Sequence, residues 1–165
     1  MVVLAALAAG EQSPSPSDAS CRTFVQNFYD WHVAHQTNFE TAMRWKRSVL
    51  SPQLRDALLE DLAASRKNAN ETVGLDFDPF VNSQDPAPLY RVGKTTVNAG
   101  SCFAEVHGVP SDRKDQPDVT AELRPENGSW RFVNFHYGSD NGAENENLIS
   151  ILRRLKRDRE QAKQK

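Results

Sequence analysis

The first half of the chain spaces its apolar residues with the period of an α-helix. Between about Ser20 and His35 these positions recur every three or four residues, which predicts a first helix with one buried face. Asp18 or Ser20 has a side chain suited to cap its start. The predicted buried face consists of Phe24, Phe28, Trp31 and His35.

Two further helices follow, and each has its own start signal. Thr37 and Glu40 have the spacing of a capping box, which predicts a short helix that runs toward Val49. Ser51 followed by Pro52 predicts another start, because serine caps helices and proline suits the first helical position. This third helix extends to about Ser65 and carries leucines at four-residue spacing, namely Leu54, Leu58 and Leu62.

Beyond Pro86 the apolar period shortens toward two, which is typical of β-strands. Asn127-Gly128 separates two such runs and is a strong hairpin signal, because a tight hairpin turn needs residues that tolerate positive φ. Ala99-Gly100 interrupts another run. The predicted strands are Leu89–Val92, then Thr95–Val97 with Ser101–Val109 as one interrupted strand, then Val119–Arg124 and Trp130–Tyr137.

A last helix is predicted from about Glu144, with Leu148, Ile151, Leu152 and Leu155 on one face. The apolar stripe ends near Lys156, so we expect the following turns to fray. Helices, then antiparallel strands, then a helix indicate the α+β class. We expect the N-terminal helices to pack on a curved, cone-like antiparallel sheet.

The segment from Gly74 to Pro86 joins the helical and strand-rich halves. Pro79 and Pro86 exclude a regular helix or a central strand. Because the segment is rich in apolar residues, we expect it to be pinned against the core, with its aspartates bonded to nearby backbone amides. Apolar Leu75, Phe77, Phe80 and Val81 are interspersed with polar Asp76, Asp78, Asn82, Gln84 and Asp85.

Charge changes the picture only at the chain's end. A net charge of -2 argues against a nucleic-acid binder. Residues 153–165 contain seven Lys or Arg against two Asp or Glu, which suits anionic lipid, an acidic partner, or simply a solvated helix end.

The length predicts one domain. We divide the chain into a signal-like segment with a Pro/Ser tether (1–19), a single α+β domain (20–157) and a basic tail (158–165).

The N-terminus and the cysteines indicate a compartment. The first ten residues are small and apolar, a polar Pro/Ser run follows, and Ala6-Leu7-Ala8 has the pattern of a signal cleavage site, although a positive leading region is missing. An apolar strand or helical turn is the alternative.

Cys21 is poorly placed for lipidation. Cys21 and Cys102 suit one disulfide in an exported protein, or two buried free thiols.

Four segments of the chain form a pattern by their order and spacing. They are Phe24-Val25-Gln26-Asn27-Phe28-Tyr29-Asp30-Trp31, Leu50-Ser51-Pro52-Gln53-Leu54, Asp78-Pro79-Phe80 and Trp130-Arg131-Phe132-Val133-Asn134-Phe135-His136-Tyr137. This pattern resembles a bacterial family of exported proteins and lipoproteins that includes the YbjP-type lipoproteins. The resemblance spans roughly Cys21 to Leu155. That family is of unknown function and supplies no catalytic residues. It is similar to the nuclear transport factor 2-like superfamily, whose cone-shaped fold serves isomerases, dehydratases and pure binding domains.

Candidate binding residues lie in the central loop, on the first helix and on the last strand. We expect a ligand or partner to contact Tyr29, Asp30, Trp31, Asp76, Asp78, Phe80 and His136. The superfamily resemblance implies that a carboxylate in an apolar pocket could act as a general base. The candidates for that role are Asp30, Glu105, His107 and His136, since Ser101, Phe103, Glu105 and His107 share one predicted strand face, and Trp130, Phe132, Asn134 and His136 another.

Two sets of residues offer ligands for a metal ion, but neither predicts a metal site. Asp76, Asp78, Asn82 and Asp85 offer oxygen ligands for calcium, but Phe80 and Ala87 occupy template positions that need oxygen donors. His32 and His35 with a strand histidine or Asp30 could bind zinc, although nothing specifies the third ligand.

The sequence therefore predicts an exported (periplasmic or secreted) non-catalytic binding module, with no cofactor or metal. Its expected partner is an envelope protein or peptide, and not nucleic acid. We expect a monomer or homodimer that does not span a membrane. The alternatives are a small-molecule enzyme or carrier with a cone-shaped pocket, and a toxin-neutralising or inhibitor protein.

Overall fold

The computed structural model describes residues 17–35, 38–67, 73–110, 116–138 and 146–164. These residues form helices first, antiparallel strands next and a helix last, which confirms the α+β class. The helices are α1 (Asp18–Ala34), α2 (Phe39–Trp45), α3 (Pro52–Lys67) and α4 (Leu148–Ala162), with a 3-10 turn at Arg47–Val49. The strands are β1 (Leu89–Asn98), β2 (Ser101–Val109), β3 (Val119–Glu126) and β4 (Ser129–His136).

The four strands form one antiparallel sheet in the order β1-β2-β3-β4. Ala99 and Gly100 have φ of 48° and 82° and turn the chain between β1 and β2. The prediction of one strand interrupted at this pair was therefore wrong, because the pair reverses the chain direction. β1 instead runs unbroken in sequence, with a register shift between Val92 and Thr95.

The predicted hairpin between β3 and β4 is confirmed, since Asn127 and Gly128 have φ of 51° and 76°. The predicted common face of β4 was wrong. A register shift opposite Glu122 and Leu123 changes which side chains point inward. Trp130 and Phe132 face the core before the shift, Phe135 and Tyr137 face it afterwards, and Asn134 and His136 are only partly buried.

Helix α1 begins slightly earlier than predicted. Ser17 is the N-cap and forms a capping box with Ser20. The buried face is turned relative to the prediction and consists of Cys21, Val25, Phe28, Tyr29 and His32. Phe24 and Trp31 lie at its margin and His35 is exposed, because the sheet lies against the turned face.

The next two helices begin with side-chain caps. Ser51 Oγ accepts a hydrogen bond from the Leu54 amide at 3.3 Å, which confirms the predicted start of α3. The N-cap of α2 is Asn38, whose side chain accepts from the Thr41 amide at 2.9 Å. Thr37 lies outside the described residues. The predicted capping role of Glu40 is not found, because its carboxylate pairs with Arg66 of α3.

Helix α4 continues well past Lys156 to Ala162, so the prediction of early fraying was wrong. Leu148, Ile151 and Leu152 are buried as expected. A tertiary contact accounts for the longer helix, because the Arg159 side chain binds the buried Asp61 carboxylate of α3. The first part of the predicted basic tail is therefore helical.

Cys21 and Cys102 form a disulfide that joins α1 to β2 across a sequence separation of 81 residues. The disulfide alternative is thus the one observed. In the chain-entropy account, a loop of this length stabilises the fold by about 4 kcal/mol. The bond is buried at the interface of helix and sheet, where it fixes how α1 lies on the strands.

Both sheet edges are partly covered. At the β4 edge, the Ser51 amide donates to the Phe132 carbonyl at 2.8 Å. At the β1 edge, the Gln26 side chain imitates a neighbouring strand, since it donates to the Tyr90 carbonyl at 3.0 Å and accepts from the Val92 amide at 2.9 Å. Such covering reduces uncontrolled strand pairing. In the described part of the chain, no helix is long and apolar enough to cross a bilayer.

Candidate functional site

The loop from Gly74 to Pro86 has no regular secondary structure, yet its middle is fixed by local hydrogen bonds. The Asp78 carboxylate accepts from the Phe80 amide at 2.9 Å, which confirms the predicted Asx-turn. The Asp78 amide donates to the Ser83 carbonyl at 3.0 Å, and Asn82 adopts a φ of 53°. The chain therefore folds back tightly between Asp78 and Ser83.

Two buried tyrosines hold this turn from the core side. The Tyr29 hydroxyl donates to the Phe80 carbonyl at 2.6 Å, and the Tyr137 hydroxyl donates to the Pro79 carbonyl at 2.8 Å. Both carbonyls would otherwise be buried without a partner, at a cost of about 1–3 kcal/mol each. The tyrosine hydroxyls thus take the place of the backbone N–H donors that these two carbonyls would have in a helix or strand.

Phe80 inserts its ring into an aromatic cluster and is only 1% exposed. Its ring centroid lies 5.4 Å from Phe28, 6.0 Å from Phe39 and 5.3 Å from Phe135, in edge-to-face arrangements. This geometry favours aromatic pairs, and the side chain ties α1, α2 and β4 to the loop. The expectation that the loop is pinned to the core is confirmed.

A buried polar contact lies at the same turn. His32 Nε2 of α1 lies 3.2 Å from Asp78 Oδ2, and the two residues are 2% and 8% exposed. The His32 ring stacks on Phe28 at a centroid distance of 5.9 Å. Removing one partner leaves the other buried and unpaired, which typically costs about 1–3 kcal/mol. The pair therefore fixes the loop to α1 in a single position.

The start of the loop is held by a second polar cluster. Asp61 of α3 is 1% exposed, accepts from the Leu75 amide at 2.9 Å and binds Arg159 Nη1 of α4 at 2.6 Å. Arg159 also donates to the Val73 carbonyl at 2.9 Å. A Cβ at Gly74 would lie 2.0 Å from Ser65 Oγ and 2.8 Å from Asp61 Oδ2, so a larger residue would displace these side chains.

The outward side of the loop forms one wall of a groove of about 650 Å³, and α2 and α3 supply the other wall. Leu62, Leu75 and Phe77 are only partly buried there and make the groove apolar. Asp76 is exposed at its rim. The lining consists of Asn38, Phe39, Glu40 and Leu62 from the helical side, and Leu75, Asp76, Phe77, Asp78, Ser83, Gln84 and Pro86 from the loop. We call this the loop groove.

The seven predicted contact residues do not form one site. Tyr29 and Phe80 lie in the core, so they position the loop and are not accessible to a partner in this conformation. Asp78 is nearly buried and is occupied by His32 and the Phe80 amide. Of the seven predicted residues, Asp76 is the one that is exposed in the loop groove.

The other three predicted residues are dispersed. Asp30 is exposed on α1, where it accepts from Gln26 Nε2 at 2.8 Å. Trp31 is half-buried and stacks on His35 at a centroid distance of 4.9 Å. His136 lies on the side of the sheet opposite the helices, with Nε2 3.0 Å from Glu122 Oε2.

The candidate general bases do not converge in an apolar pocket. His136 pairs with Glu122, and His107 Nε2 lies 3.9 Å from Glu105 Oε2 on the partly exposed face of β2. Asp30 lies on α1. A general base acts within hydrogen-bond reach of a substrate that is held in a pocket. These four residues instead make ordinary pairs at the surface.

No group of three or more metal-ligating side chains occurs among the residues that the structure describes. His32 and Asp78 contact each other, and His35 Nδ1 lies 2.8 Å from the Trp31 carbonyl. Asn82 points away from the loop's acidic residues and donates to the Asp118 carbonyl at 3.4 Å. The residues considered for calcium and zinc are thus engaged separately.

The sequence did not reveal the residues that hold the start of the loop. Asp61 falls on the buried stripe of α3, next after Leu54 and Leu58, and a charged residue at such a position is a signal of a buried partner. Its partner Arg159 lies far along the chain, in the segment predicted as a tail. The helical wall of the loop groove was missed because it depends on how α2 and α3 pack.

No family model, curated protein or solved structure matches the chain. The resemblance to the YbjP-type family therefore stays a prediction that rests on the quoted residues.

Because three tyrosines are buried, the stability of the fold depends on pH in the alkaline range. It raises the pKa of Tyr29 well above its ordinary value, and the nearby Asp78 carboxylate adds to the rise. Burial likewise raises the pKa of Tyr137, and it raises that of Tyr90 to about 12. The folded protein therefore keeps these protons at pH values where the unfolded chain has released them.

We expect stability to be unaffected by these groups below about pH 10 and to fall as pH rises from about 10 through 12 and beyond. Urea unfolding midpoints across this range measure the fall. Tyr29→Phe should be less stable by about 1–3 kcal/mol at neutral pH, because the Phe80 carbonyl loses its donor. Its stability should then decline less steeply above pH 10. An identical slope in the variant and the wild type would contradict this role of Tyr29.

Proposed function

We propose that this chain is an exported binding domain without chemistry of its own, and that its loop groove holds a segment of an envelope protein or a peptide. The observation that carries the proposal is the division of the Gly74–Pro86 loop into two sides. Its inward side is fixed by Tyr29, His32 and Phe80, while its outward side forms a wall of an open groove.

This fixed geometry favours binding. A loop that is already ordered loses little conformational entropy when a partner arrives. The anchors of the loop are buried polar contacts and an aromatic cluster, which resist displacement. The groove can therefore present the same surface before and after binding.

The lining of the loop groove specifies the chemistry of the partner. Leu62, Leu75 and Phe77 offer partly exposed apolar surface for an apolar side chain. Asp76 is exposed and makes no ion pair in the described structure, so it is available to a cation. Glu40 already pairs with Arg66. We infer that the bound segment carries an apolar residue near a Lys or Arg.

A peptide-display selection tests this site. We expect the wild-type protein to enrich peptides that combine a basic and an apolar residue. Asp76→Arg should weaken their binding roughly tenfold or more, because a like charge then faces the peptide's cation. The matched control is Asp158→Arg on α4, an exposed aspartate outside the groove, which should leave binding unchanged. Peptides that bind Asp76→Arg as well as the wild type would overturn the proposal.

Export is supported by the disulfide between Cys21 and Cys102 and by the signal-like first ten residues. Protein recovered outside the cytoplasm should begin near Ala9 and carry no thiol that reacts before reduction. N-terminal sequencing and a thiol count measure both properties. Retention of Met1 together with two reactive thiols would rule out export.

A further inference from the structure

Trp45, the last residue of α2, is 69% exposed. The buried side of this short helix consists of Phe39, Ala42 and Met43, so the indole points away from the core. A single exposed apolar side chain is ordinary on a protein surface and indicates nothing by itself. Its immediate surroundings are what distinguish Trp45.

Three cations flank Trp45 in the chain. Arg44 and Arg47 are exposed, and neither they nor Lys46 has an ion-pair partner in the described structure. Lys46 instead places its ammonium 4.7 Å from the centroid of the Trp31 ring. These three side chains give this end of α2 a local positive charge on a chain whose net charge is -2.

Helix α3 extends the same surface. Arg44 and Arg47 line a groove of about 340 Å³ together with the Arg66–Glu40 ion pair. The apolar side of this groove includes Met43, Leu59 and Leu62. Leu59 is 40% exposed. Cations and exposed apolar groups thus lie side by side. We call Arg44, Trp45, Lys46, Arg47 and Leu59 the basic–aromatic patch.

We propose that the basic–aromatic patch docks on the surface of a bilayer that contains anionic lipid. Tryptophan suits the boundary between headgroups and acyl chains, where its ring is in apolar surroundings and its N–H reaches water. Lysine and arginine beside it are attracted to lipid phosphates. The charge of the patch complements such a surface, and its protruding indole suits insertion at the headgroup level.

The expected attachment is weak and reversible. Each cation near an anionic surface strengthens binding by about fivefold, so three cations give on the order of 100-fold preference over a neutral surface. One indole and one partly exposed leucine add little apolar area, and stable anchoring needs more than this. The patch would therefore orient the domain at the membrane without holding it there permanently.

Vesicle flotation with the full chain tests the proposal. Vesicles of phosphatidylcholine alone are compared with vesicles that also contain phosphatidylglycerol. We expect binding only to the anionic vesicles, with a shift of tryptophan fluorescence to shorter wavelength that Trp45→Phe removes.

Arg44→Glu with Arg47→Glu should weaken binding at least about 20-fold, as two cations are lost. Trp45→Ala should weaken binding without loss of thermal stability, because the indole is exposed.

Arg91→Glu with Lys94→Glu is the matched control. Both residues are exposed on β1, and the pair changes the net charge by the same amount as the patch variant. We expect this control to bind like the wild type. Equal binding to neutral and anionic vesicles, or equal loss in the two double variants, would overturn the proposal. Binding to dextran sulfate but not to anionic vesicles would also overturn it, since the partner would then be a soluble acidic polymer.

Discussion

The rest of the structure depends on how the loop between Gly74 and Pro86 is held against α1. The loop cannot satisfy its buried backbone groups by helix or strand pairing, because Pro79 and Pro86 interrupt it. Side chains from the surrounding helices and strands do this instead. Tyr29 and Tyr137 donate to loop carbonyls, and His32 meets the carboxylate of Asp78 in the core. The first helix is thereby both a packing element and the anchor of the loop.

Within this one loop, some residues hold the loop against the core and others face a binding partner. The inward residues are too buried to meet a partner, while Asp76 and Phe77 face the loop groove. The disulfide fixes α1 on the sheet and therefore also fixes the tyrosine and histidine that hold the loop. The rigidity of the proposed binding surface thus has its origin in the core. The basic–aromatic patch lies beyond the loop groove's helical wall and draws on a different property, the charge at the end of α2.

The sequence predicted the fold class, the third helix start and the β3–β4 hairpin because each depends on local signals, such as Ser51-Pro52 and Asn127-Gly128. It misplaced the buried face of α1, because aromatic spacing alone does not say where the sheet will lie. It misplaced Asn134 and His136, because a bulge in β4 leaves no clear trace in a single sequence. Of the candidate site, the anchored loop was foreseen, whereas its contacts with Asp61 and Arg159 join distant segments and required the tertiary structure.

Hydrogen exchange of the loop amides tests the central claim most directly. The amides of Leu75, Asp78, Phe80 and Val81 all donate to acceptors in the structure. We predict that they exchange as slowly as amides of the central strands, and that His32→Ala accelerates them while β2 stays protected. Fast exchange of these amides in the wild-type protein would show that the loop is not anchored, and would contradict the account of a preformed groove.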